Sequence, residues 1–181
     1  MKVSRLDLPG ILLIELPVAR DHRGFFIERY NEEGFRPHGL PRFCQDNHSR
    51  SVPGAVRGLH YQTAPPQGKL VSVVHGEIWD VVVDLREQSP TYGQHLTTAL
   101  NDRDGHLLWI PAGFAHGFCV TGTHDADVIY KVDQPYAPSS EGGILWSDPE
   151  LAIPWPVTQP MLSERDKRLP PFSAYRRQPA F

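Results

Sequence analysis

The stretch LVSVVHGEIWDVVVDL, residues 70–85, decides the predicted fold. It contains two runs rich in β-branched residues, Leu70–Val74 and Ile78–Leu85, and His75-Gly76-Glu77 forms a tight connection between them. β-branched side chains favour strands, and glycine favours sharp turns. The stretch therefore predicts two consecutive β-strands.

Short runs of the same kind recur along the chain, separated by Gly, Pro, Asp and Asn. The other predicted strands are Ile11–Leu16, Phe25–Arg29, Phe43–Ser49, Val56–Gln62, Gln94–Leu100, Leu107–Ile110, Gly117–Thr121 and Val128–Val132. Asn101–Gly105 is predicted as a turn, and Glu164–Leu169 as a helical turn in a final third that wraps a barrel. Many short strands with turn signals between them predict an all-β sandwich or barrel, as one domain over residues 1–181.

Composition narrows the possible functions. The chain has 181 residues, of which 40% are hydrophobic and 22% charged, an ordinary globular mixture. The net charge of -3 and the absence of a Lys/Arg-rich run argue against nucleic acid as a partner. Apolar runs are too short to cross a membrane and no signal-peptide pattern is present, so we expect a cytoplasmic protein. Cys44 and Cys119, outside any C-x-x-C pattern, are expected to be buried, reduced thiols.

Polar residues alternate in Phe43-Cys44-Gln45-Asp46-Asn47-His48-Ser49. In a strand, Gln45, Asn47 and Ser49 share one face. Such a row of neutral polar groups suits hydrogen bonding to a ligand inside a barrel. A solvated face of an antiparallel sheet is the alternative interpretation.

The segment Arg57-Gly58-Leu59-His60-Tyr61-Gln62 places an arginine and a histidine in one strand. His60 is a candidate base and Arg57 a candidate phosphate ligand, although an isolated strand histidine is more often structural. In an ideal strand the two would face opposite sides. We predict that a bulge at Gly58 brings them to the same side.

The pattern P-x-G-x-x-H in Pro111–His116 is typical of a tight turn that delivers a histidine into a strand. It resembles the second sequence motif of cupins. In metal-binding cupins an H-x-H pair and an acid from the first motif complete the site, but here that motif offers only His60. Two histidines do not close a stable site without further ligands, so no metal is expected.

Tyr130 lies in an alternating strand, where a tyrosine usually packs its ring and hydrogen-bonds its hydroxyl. A carboxylate is also needed to orient His60 if that residue is a base. Asp80, Asp84 and Asp166 are all candidates, and their spacing does not choose among them.

Taken together, the motifs closely resemble those of the dTDP-4-dehydrorhamnose 3,5-epimerases, metal-free members of the cupin superfamily. The resemblance covers nearly the whole chain. The matching segments are Asp21-x-Arg23-Gly24-x-Phe26-x-Glu28, Gln45-Asp46-Asn47-x-Ser49, Val56–Gln62, Gln67–Val71, Gly76–Arg86, Pro111–Phe118, Tyr130-Lys131, Tyr136–Gly142 and Leu162–Asp166. No single segment is specific, but their number and order are.

The resemblance implies a cupin-type jelly-roll β-barrel with short helical segments near the N- and C-terminal regions. It implies that His60 is the general base, Asp166 its dyad partner, Tyr130 the general acid on the opposite face of the sugar, and Lys69 a neighbour of the sugar carbonyl. It places at nucleotide- or sugar-contacting positions Arg23, Phe26, Glu28, Gln45, Asp46, Asn47, Arg57, His116, Tyr136, Glu141 and Arg165. It further implies no cofactor and a homodimer with exchanged N-terminal strands.

The activity implied is inversion of C3 and C5 of dTDP-4-keto-6-deoxyglucose, giving dTDP-4-keto-L-rhamnose. Proton abstraction next to the C4 ketone and reprotonation from the opposite face would achieve it. One alternative is a C3-only or C5-only epimerase of an antibiotic deoxysugar pathway. Another is a non-catalytic nucleotide-sugar-binding cupin, against which the presence of His60, Tyr130 and Asp166 argues.

Overall fold

Strands dominate the computed structural model, which describes all 181 residues. Its thirteen strands are β1 (Lys2–Arg5), β2 (Leu12–Glu15), β3 (Ala19–Asp21), β4 (Gly24–Phe26), β5 (Gln45–Ser51), β6 (Val56–Gln62), β7 (Lys69–His75), β8 (Glu77–Asp84), β9 (His95–Asn101), β10 (His106–Ile110), β11 (Phe114–Val120), β12 (Ala126–Val132) and β13 (Glu141–Gly143). Two short α-helices are α1 (Glu32–Phe35) and α2 (Phe172–Arg177), and 3₁₀ turns span Arg36–His38, Pro138–Ser140 and Asp166–Arg168. The predicted all-β, cupin-type fold with short helical segments is confirmed.

The strands form two large antiparallel sheets and a separate hairpin. The six-stranded sheet has the order β1-β2-β10-β7-β12-β5, and the five-stranded sheet has the order β13-β6-β11-β8-β9. The hairpin pairs β3 with β4. Consecutive strands often lie in different sheets, so polar residues far apart in sequence come to face each other between the sheets.

Three hydrophobic clusters fix this arrangement. The central cluster contains Val71 and Val73 of one sheet and Ile78, Val82 and Phe118 of the other, so it fills the space between the sheets. A second cluster covers the outer face of the six-stranded sheet beneath α1, and a third lies on the outer face of the five-stranded sheet beneath α2. Apolar residues therefore occupy both faces of the central strands, as expected for strands buried on both sides.

The predicted connection at His75-Gly76-Glu77 is confirmed, with only Gly76 between β7 and β8. Gly76 has φ +78°, and a Cβ there would lie 2.6 Å from the Asp125 carbonyl oxygen. Only glycine fits this conformation and this close approach. The connection passes from one sheet to the other, since β7 and β8 belong to different sheets.

Some local predictions were wrong. The strand predicted over Phe25–Arg29 ends at Phe26, and β1, β3 and β13 were missed. Cys44 is exposed, whereas Cys119 is buried as predicted. Cys44 precedes β5 beside Phe43, which packs against the cluster beneath α1, so alternation turns the thiol outward. The chain contains no helix long and apolar enough to span a membrane.

Candidate active site

A cavity of about 630 Å³ opens between the two sheets and is lined mainly by polar residues. The predicted site residues that line it are Asn47, Arg57, His60, Lys69, His116, Tyr130, Tyr136, Glu141, Arg165 and Asp166. They come from β5, β6, β7, β11, β12, β13 and two loops. A cavity of this size with converging polar groups is typical of a small-molecule site.

The predicted bulge in β6 is confirmed. His116 of β11 pairs with His60, and Phe118 pairs with Arg57, so β6 contains one residue more than β11 between the two pairs. Gly58 has φ +111°, and a Cβ there would lie 2.7 Å from both the Gly117 Cα and the His116 carbonyl oxygen. Because of the bulge, Arg57 and His60 both line the cavity.

His60 is paired with Asp166, and this contact answers the question that the sequence left open. The distance from His60 Nε2 to Asp166 Oδ1 is 2.7 Å, and the Asp166 side chain is buried. Burial acts to raise the pKa of Asp166, but the hydrogen bond to His60 and the attraction between the two groups outweigh it, so the pKa lies below its usual value. An ionised Asp166 accepts a hydrogen bond from Nε2–H of His60, which leaves Nδ1 as the nitrogen that can act as a base.

Ser163 holds Asp166 in place. Its hydroxyl accepts a hydrogen bond from the Asp166 backbone amide at 3.0 Å, and the backbone amide of Gly58 lies 3.4 Å from Asp166 Oδ2. The turn that contains Asp166 is therefore attached both to its own loop and to the bulge of β6.

Lys69 lies at the start of β7 and reaches across the interior to β6, where its Nζ donates a hydrogen bond to the His60 carbonyl oxygen at 3.4 Å. Burial lowers the pKa of Lys69 to about 8, and the charges of Glu141 and Asp80 oppose the decrease. Lys69 is therefore mainly cationic at neutral pH and loses its proton just above it.

Tyr130 stands on the wall opposite His60. It lies on β12 of the six-stranded sheet, whereas His60 lies on β6 of the five-stranded sheet, and both line the same cavity. Burial, followed by the charge of Glu141, raises the pKa of Tyr130. The phenol therefore keeps its proton at neutral pH.

A cluster of three side chains forms part of the cavity rim. Glu141 accepts a hydrogen bond from the Tyr136 hydroxyl at 2.8 Å and forms an ion pair with Arg165 at 2.7 Å. Burial acts to raise the pKa of Glu141, but the bonds to Tyr136 and Arg165 outweigh it, so Glu141 is ionised. Since Arg165 directly precedes Asp166, the cluster also connects the loop of Asp166 to β13.

The other carboxylates considered for His60 lie elsewhere. Asp80 of β8 is fully buried and is 2.8 Å from Nε2 of His116. Asp84 accepts hydrogen bonds from Arg86, Ser89 and Thr91. Neither is hydrogen-bonded to His60.

The predicted row of Gln45, Asn47 and Ser49 lies on one face of β5, and Asp46, a predicted ligand outside that row, lies on the other. Asn47 lines the cavity, and Gln45 donates to Asn47 Oδ1 at 2.9 Å and accepts from the Tyr136 amide at 3.0 Å. The Asp46 side chain points to the opposite face, where it is paired with Lys131 at 2.8 Å. Strand alternation explains why its side chain does not reach the cavity.

Arg23, Phe26 and Glu28 do not line the cavity. Arg23 and Phe26 belong to the β3–β4 hairpin region, and Glu28 is an exposed residue that follows it. Phe26 is 74% exposed, and Arg23 is bonded to Asp21 within the hairpin. These three predicted ligands are therefore separate from the ten predicted residues that line the cavity.

Several cavity-lining residues were not predicted as ligands, namely Ser49, Arg50, Gln67, Met161 and Ser163. Ser49 belongs to the polar face that was recognised on β5, and its buried hydroxyl has no hydrogen-bond partner. Gln67 and Ser163 lie within Gln67–Val71 and Leu162–Asp166, two of the segments on which the family resemblance rests. Met161 had no sequence signal, because it reaches the rim only through the bridge between its backbone and Ala55.

Residues 5–174 match the family model described as dTDP-4-dehydrorhamnose 3,5-epimerase. A dTDP-4-dehydrorhamnose 3,5-epimerase of Pseudomonas aeruginosa is 49% identical over 93% of this chain and 94% of the relative. The crystal structure of a dTDP-6-deoxy-D-glucose-3,5-epimerase from Legionella pneumophila, in complex with dTDP-4-keto-L-rhamnose, is 42% identical and superposes with a TM-score of 0.91 over 95% of this chain and 93% of that one. A 3'-monoepimerase from Streptomyces bikiniensis, in complex with dTDP-quinovose, is 34% identical, with a TM-score of 0.89 over 95% and 88% of the two chains. The protein thus belongs to the dTDP-4-dehydrorhamnose 3,5-epimerase family.

Proposed function

We propose that this protein is an isomerase that inverts C3 and C5 of dTDP-4-keto-6-deoxyglucose and gives dTDP-4-keto-L-rhamnose. The observation that supports this most directly is the position of His60 and Tyr130 on opposite walls of one cavity. Inversion of a carbon centre needs a base on one face of the ring and an acid on the other. A cavity with both groups on one wall would return the proton to the face it came from.

The first step is proton abstraction by His60. The C4 ketone acidifies the hydrogens on C3 and C5, because the resulting carbanion is delocalised onto the ketone oxygen. Nδ1 of His60 takes the proton, and Asp166 stabilises the imidazolium through its bond to Nε2. The electron pair of the C–H bond moves into a C=C bond, and the carbonyl electrons move to oxygen, giving an enolate.

Lys69 stabilises that enolate. A cation fixed at the position where negative charge develops lowers the barrier, and loss of one such group typically costs 10²- to 10³-fold in kcat. Lys69 is mainly cationic at neutral pH, because its pKa is about 8. It contacts the His60 carbonyl oxygen, so it lies close to the base and to the carbon that loses a proton.

Tyr130 completes the inversion by protonating the same carbon from the other face. The enolate oxygen electrons re-form the carbonyl, and the C=C electrons take the phenol proton. The raised pKa of Tyr130 keeps this proton available until the enolate forms. Before the second centre reacts, the His60 imidazolium releases its proton to solvent and the tyrosinate recovers one, directly or through the cavity.

Cavity residues also suit the nucleotide. Arg57 uses two of its N–H groups to bond Ser51 Oγ at 2.8 Å and the Arg50 carbonyl oxygen at 3.2 Å, which fixes the guanidinium while leaving other donors for a diphosphate. Tyr136 is 49% exposed at the rim and offers an aromatic face to a thymine ring. Asn47 and His116 line the same cavity, which supports a role for them in bonding sugar hydroxyls.

Inversion of both centres is favoured over inversion of one. The 3,5-epimerase of P. aeruginosa is 49% identical to this chain, compared with 34% for the 3'-monoepimerase. The same base, acid and cation would serve either activity, so the residues on the cavity walls do not distinguish them. The intact set of base, partner carboxylate and acid argues against a binding protein without activity.

The test is incubation with dTDP-4-keto-6-deoxyglucose in deuterated water, followed by proton NMR of C3 and C5. Deuterium at both centres, together with signals of the L-rhamno product, supports the proposal. Deuterium at a single centre would indicate a monoepimerase. Tight binding without any exchange would exclude an enzyme of this type.

We further propose that two chains form a homodimer in which the β3–β4 hairpins are exchanged. Phe25 and Phe26 are 50% and 74% exposed, although aromatic side chains of this size are normally covered. Packing of the hairpin against a second copy would cover them and would bring Arg23, Phe26 and Glu28 to the partner's cavity. The cytoplasmic location stays a prediction, which fractionation of host cells would check.

A further inference from the structure

Asp80 is a buried carboxyl group for which the proposed reaction has no direct use. It lies on β8 between Ile78 and Val82, both members of the central apolar cluster, and its side chain is 0% exposed. Oδ2 is bonded to His116 Nε2 at 2.8 Å, and Oδ1 has no hydrogen-bond partner. A buried carboxylate with only one of its oxygens bonded is costly for folding, so its presence calls for a functional explanation.

The surroundings of Asp80 place it beneath the floor of the cavity. His116 lines the cavity, but Asp80 itself does not. The charged and titratable groups that face it are His116 on β11 and Lys69 on β7 of the opposite sheet. The lysine is in turn faced by Glu141 on β13, by His60 on β6 and by Tyr130 on β12.

We propose that Asp80 is a positioning residue, which fixes the His116 ring from below and supplies the negative charge that keeps Lys69 cationic. This inference deepens the proposed function and rests on it for the role of Lys69. In this proposal Asp80 is ionised and accepts a hydrogen bond from Nε2–H of His116, so Nδ1 of that ring is left as an acceptor for a sugar hydroxyl. The second, unbonded oxygen leaves part of the carboxylate charge free to act on Lys69.

Two opposing effects on Lys69 make this charge important. Burial removes water from the ammonium group and lowers its pKa to about 8, while the charges of Glu141 and Asp80 act against that decrease. Glu141 is already engaged by Arg165 and Tyr136, so much of its charge is neutralised. Asp80 forms no salt bridge with a lysine or an arginine, and its one hydrogen-bond partner is His116. Burial also raises the pKa of Asp80, and Lys69 and His116 oppose this, so the lysine and the carboxylate stabilise each other's charged forms.

The test compares the wild type with Asp80→Asn and follows Lys69 without any substrate. Acetylation of Lys69 by acetic anhydride, read by mass spectrometry over a pH series, reports the fraction of neutral amine. In the wild type the midpoint is expected at about pH 8. In Asp80→Asn it is expected to fall by roughly one pH unit or more, so that acetylation at neutral pH becomes several-fold faster. The pH at which kcat falls on the alkaline side of its profile should decrease by the same amount.

Asp127→Asn is the matched control. Asp127 is also a buried carboxylate bonded to a histidine, since its Oδ1 is 3.1 Å from His48 Nε2, but it lies on the outer face of the six-stranded sheet. Its replacement should change neither the pH midpoint of Lys69 acetylation nor the pH at which kcat falls on the alkaline side. Asp80→Glu retains the charge and should keep the midpoint near that of the wild type.

An unchanged Lys69 midpoint in folded Asp80→Asn overturns the inference, even if the variant is less stable. Asp80→Ser provides a second neutral variant should Asp80→Asn fail to fold, because serine is smaller and its hydroxyl still accepts a hydrogen bond from His116. The same downward shift is expected for it. Failure of the proposed function is a separate result, namely the absence of turnover by the wild type, and it leaves the acetylation result decisive for Asp80.

Discussion

Lys69 is the residue whose protonation limits the proposed reaction at alkaline pH. Its pKa is lowered to about 8, so the side chain is cationic below that pH and neutral above it. We expect kcat to fall with a single ionisation near pH 8. Lys69→Arg should remove this fall, because a guanidinium stays charged to well above pH 10, although its geometry lowers kcat at all pH values. Steady-state kinetics over pH 6–10 tests this, and a fall near pH 8 that persists in Lys69→Arg would assign the ionisation to another group.

Tyr130 is expected to be needed for inversion but not for the first proton abstraction. In Tyr130→Phe, His60 still removes a proton, and the enolate recovers one from the same face. The variant should therefore incorporate deuterium from solvent while forming very little epimer. NMR of the recovered sugar measures both quantities at once. Loss of exchange and of inversion to the same extent would show that Tyr130 takes part in abstraction as well.

At the level of the elements, the bulge in β6 brings the side chains of Arg57 and His60 to the same face of the strand. Gly58→Ala would introduce a Cβ 2.7 Å from two backbone atoms of β11, at a residue with φ +111°. We expect a loss of about 2–4 kcal/mol in the free energy of unfolding and a large decrease in kcat, because Arg57 and His60 would no longer face the cavity together.

Gly39→Ala is the control for this prediction. Gly39 also has a positive φ, +81°, but a Cβ there would have no atom within 4 Å. Its replacement by alanine should lower the free energy of unfolding by about 1 kcal/mol, the cost of a side chain at a positive φ, and should leave kcat unchanged. Thermal melts of both variants measure the cost of backbone strain at the substituted glycine. Kinetics of both variants measure the loss of activity that comes from displacing Arg57 and His60. Equal effects of the two substitutions on kcat would contradict a special role for the bulge.

Local features of the elements were predictable from the sequence, whereas contacts that depend on packing were not. Strand β6 was predicted with its observed bounds, and the bulge followed from Gly58 between two residues that needed a common face. Asp166 could not be chosen by spacing, because its contact with His60 joins residues 106 positions apart through the packing of the final loop. The pair of Asp80 with His116 depends in the same way on the alignment of β8 with β11. Strand β13 was missed because its three residues, Glu141–Gly143, have almost no β-propensity of their own.

For the whole molecule, the proposed exchange of β3–β4 hairpins predicts that each site needs residues from two chains. We expect a dimer by light scattering, and a strongly raised KM in the double variant Arg23→Ala and Phe26→Ala. Mixing that variant with His60→Ala subunits should restore part of the activity. A mixed dimer pairs one intact hairpin with the cavity that still has His60. No recovery after proven subunit exchange would contradict sharing of residues between cavities.

The two-sheet architecture places His60 and Tyr130 on opposite walls of the cavity, and the central claim of the proposed mechanism is that His60 is the only base for both centres. The most direct test is His60→Ala in deuterated water, with dTDP binding measured by calorimetry on the same sample. The account predicts no deuterium at C3 or C5 above the level without enzyme, while dTDP affinity stays within a few-fold of the wild type. Exchange at either centre at a rate near that of the wild type would contradict it, since another group would then remove that proton.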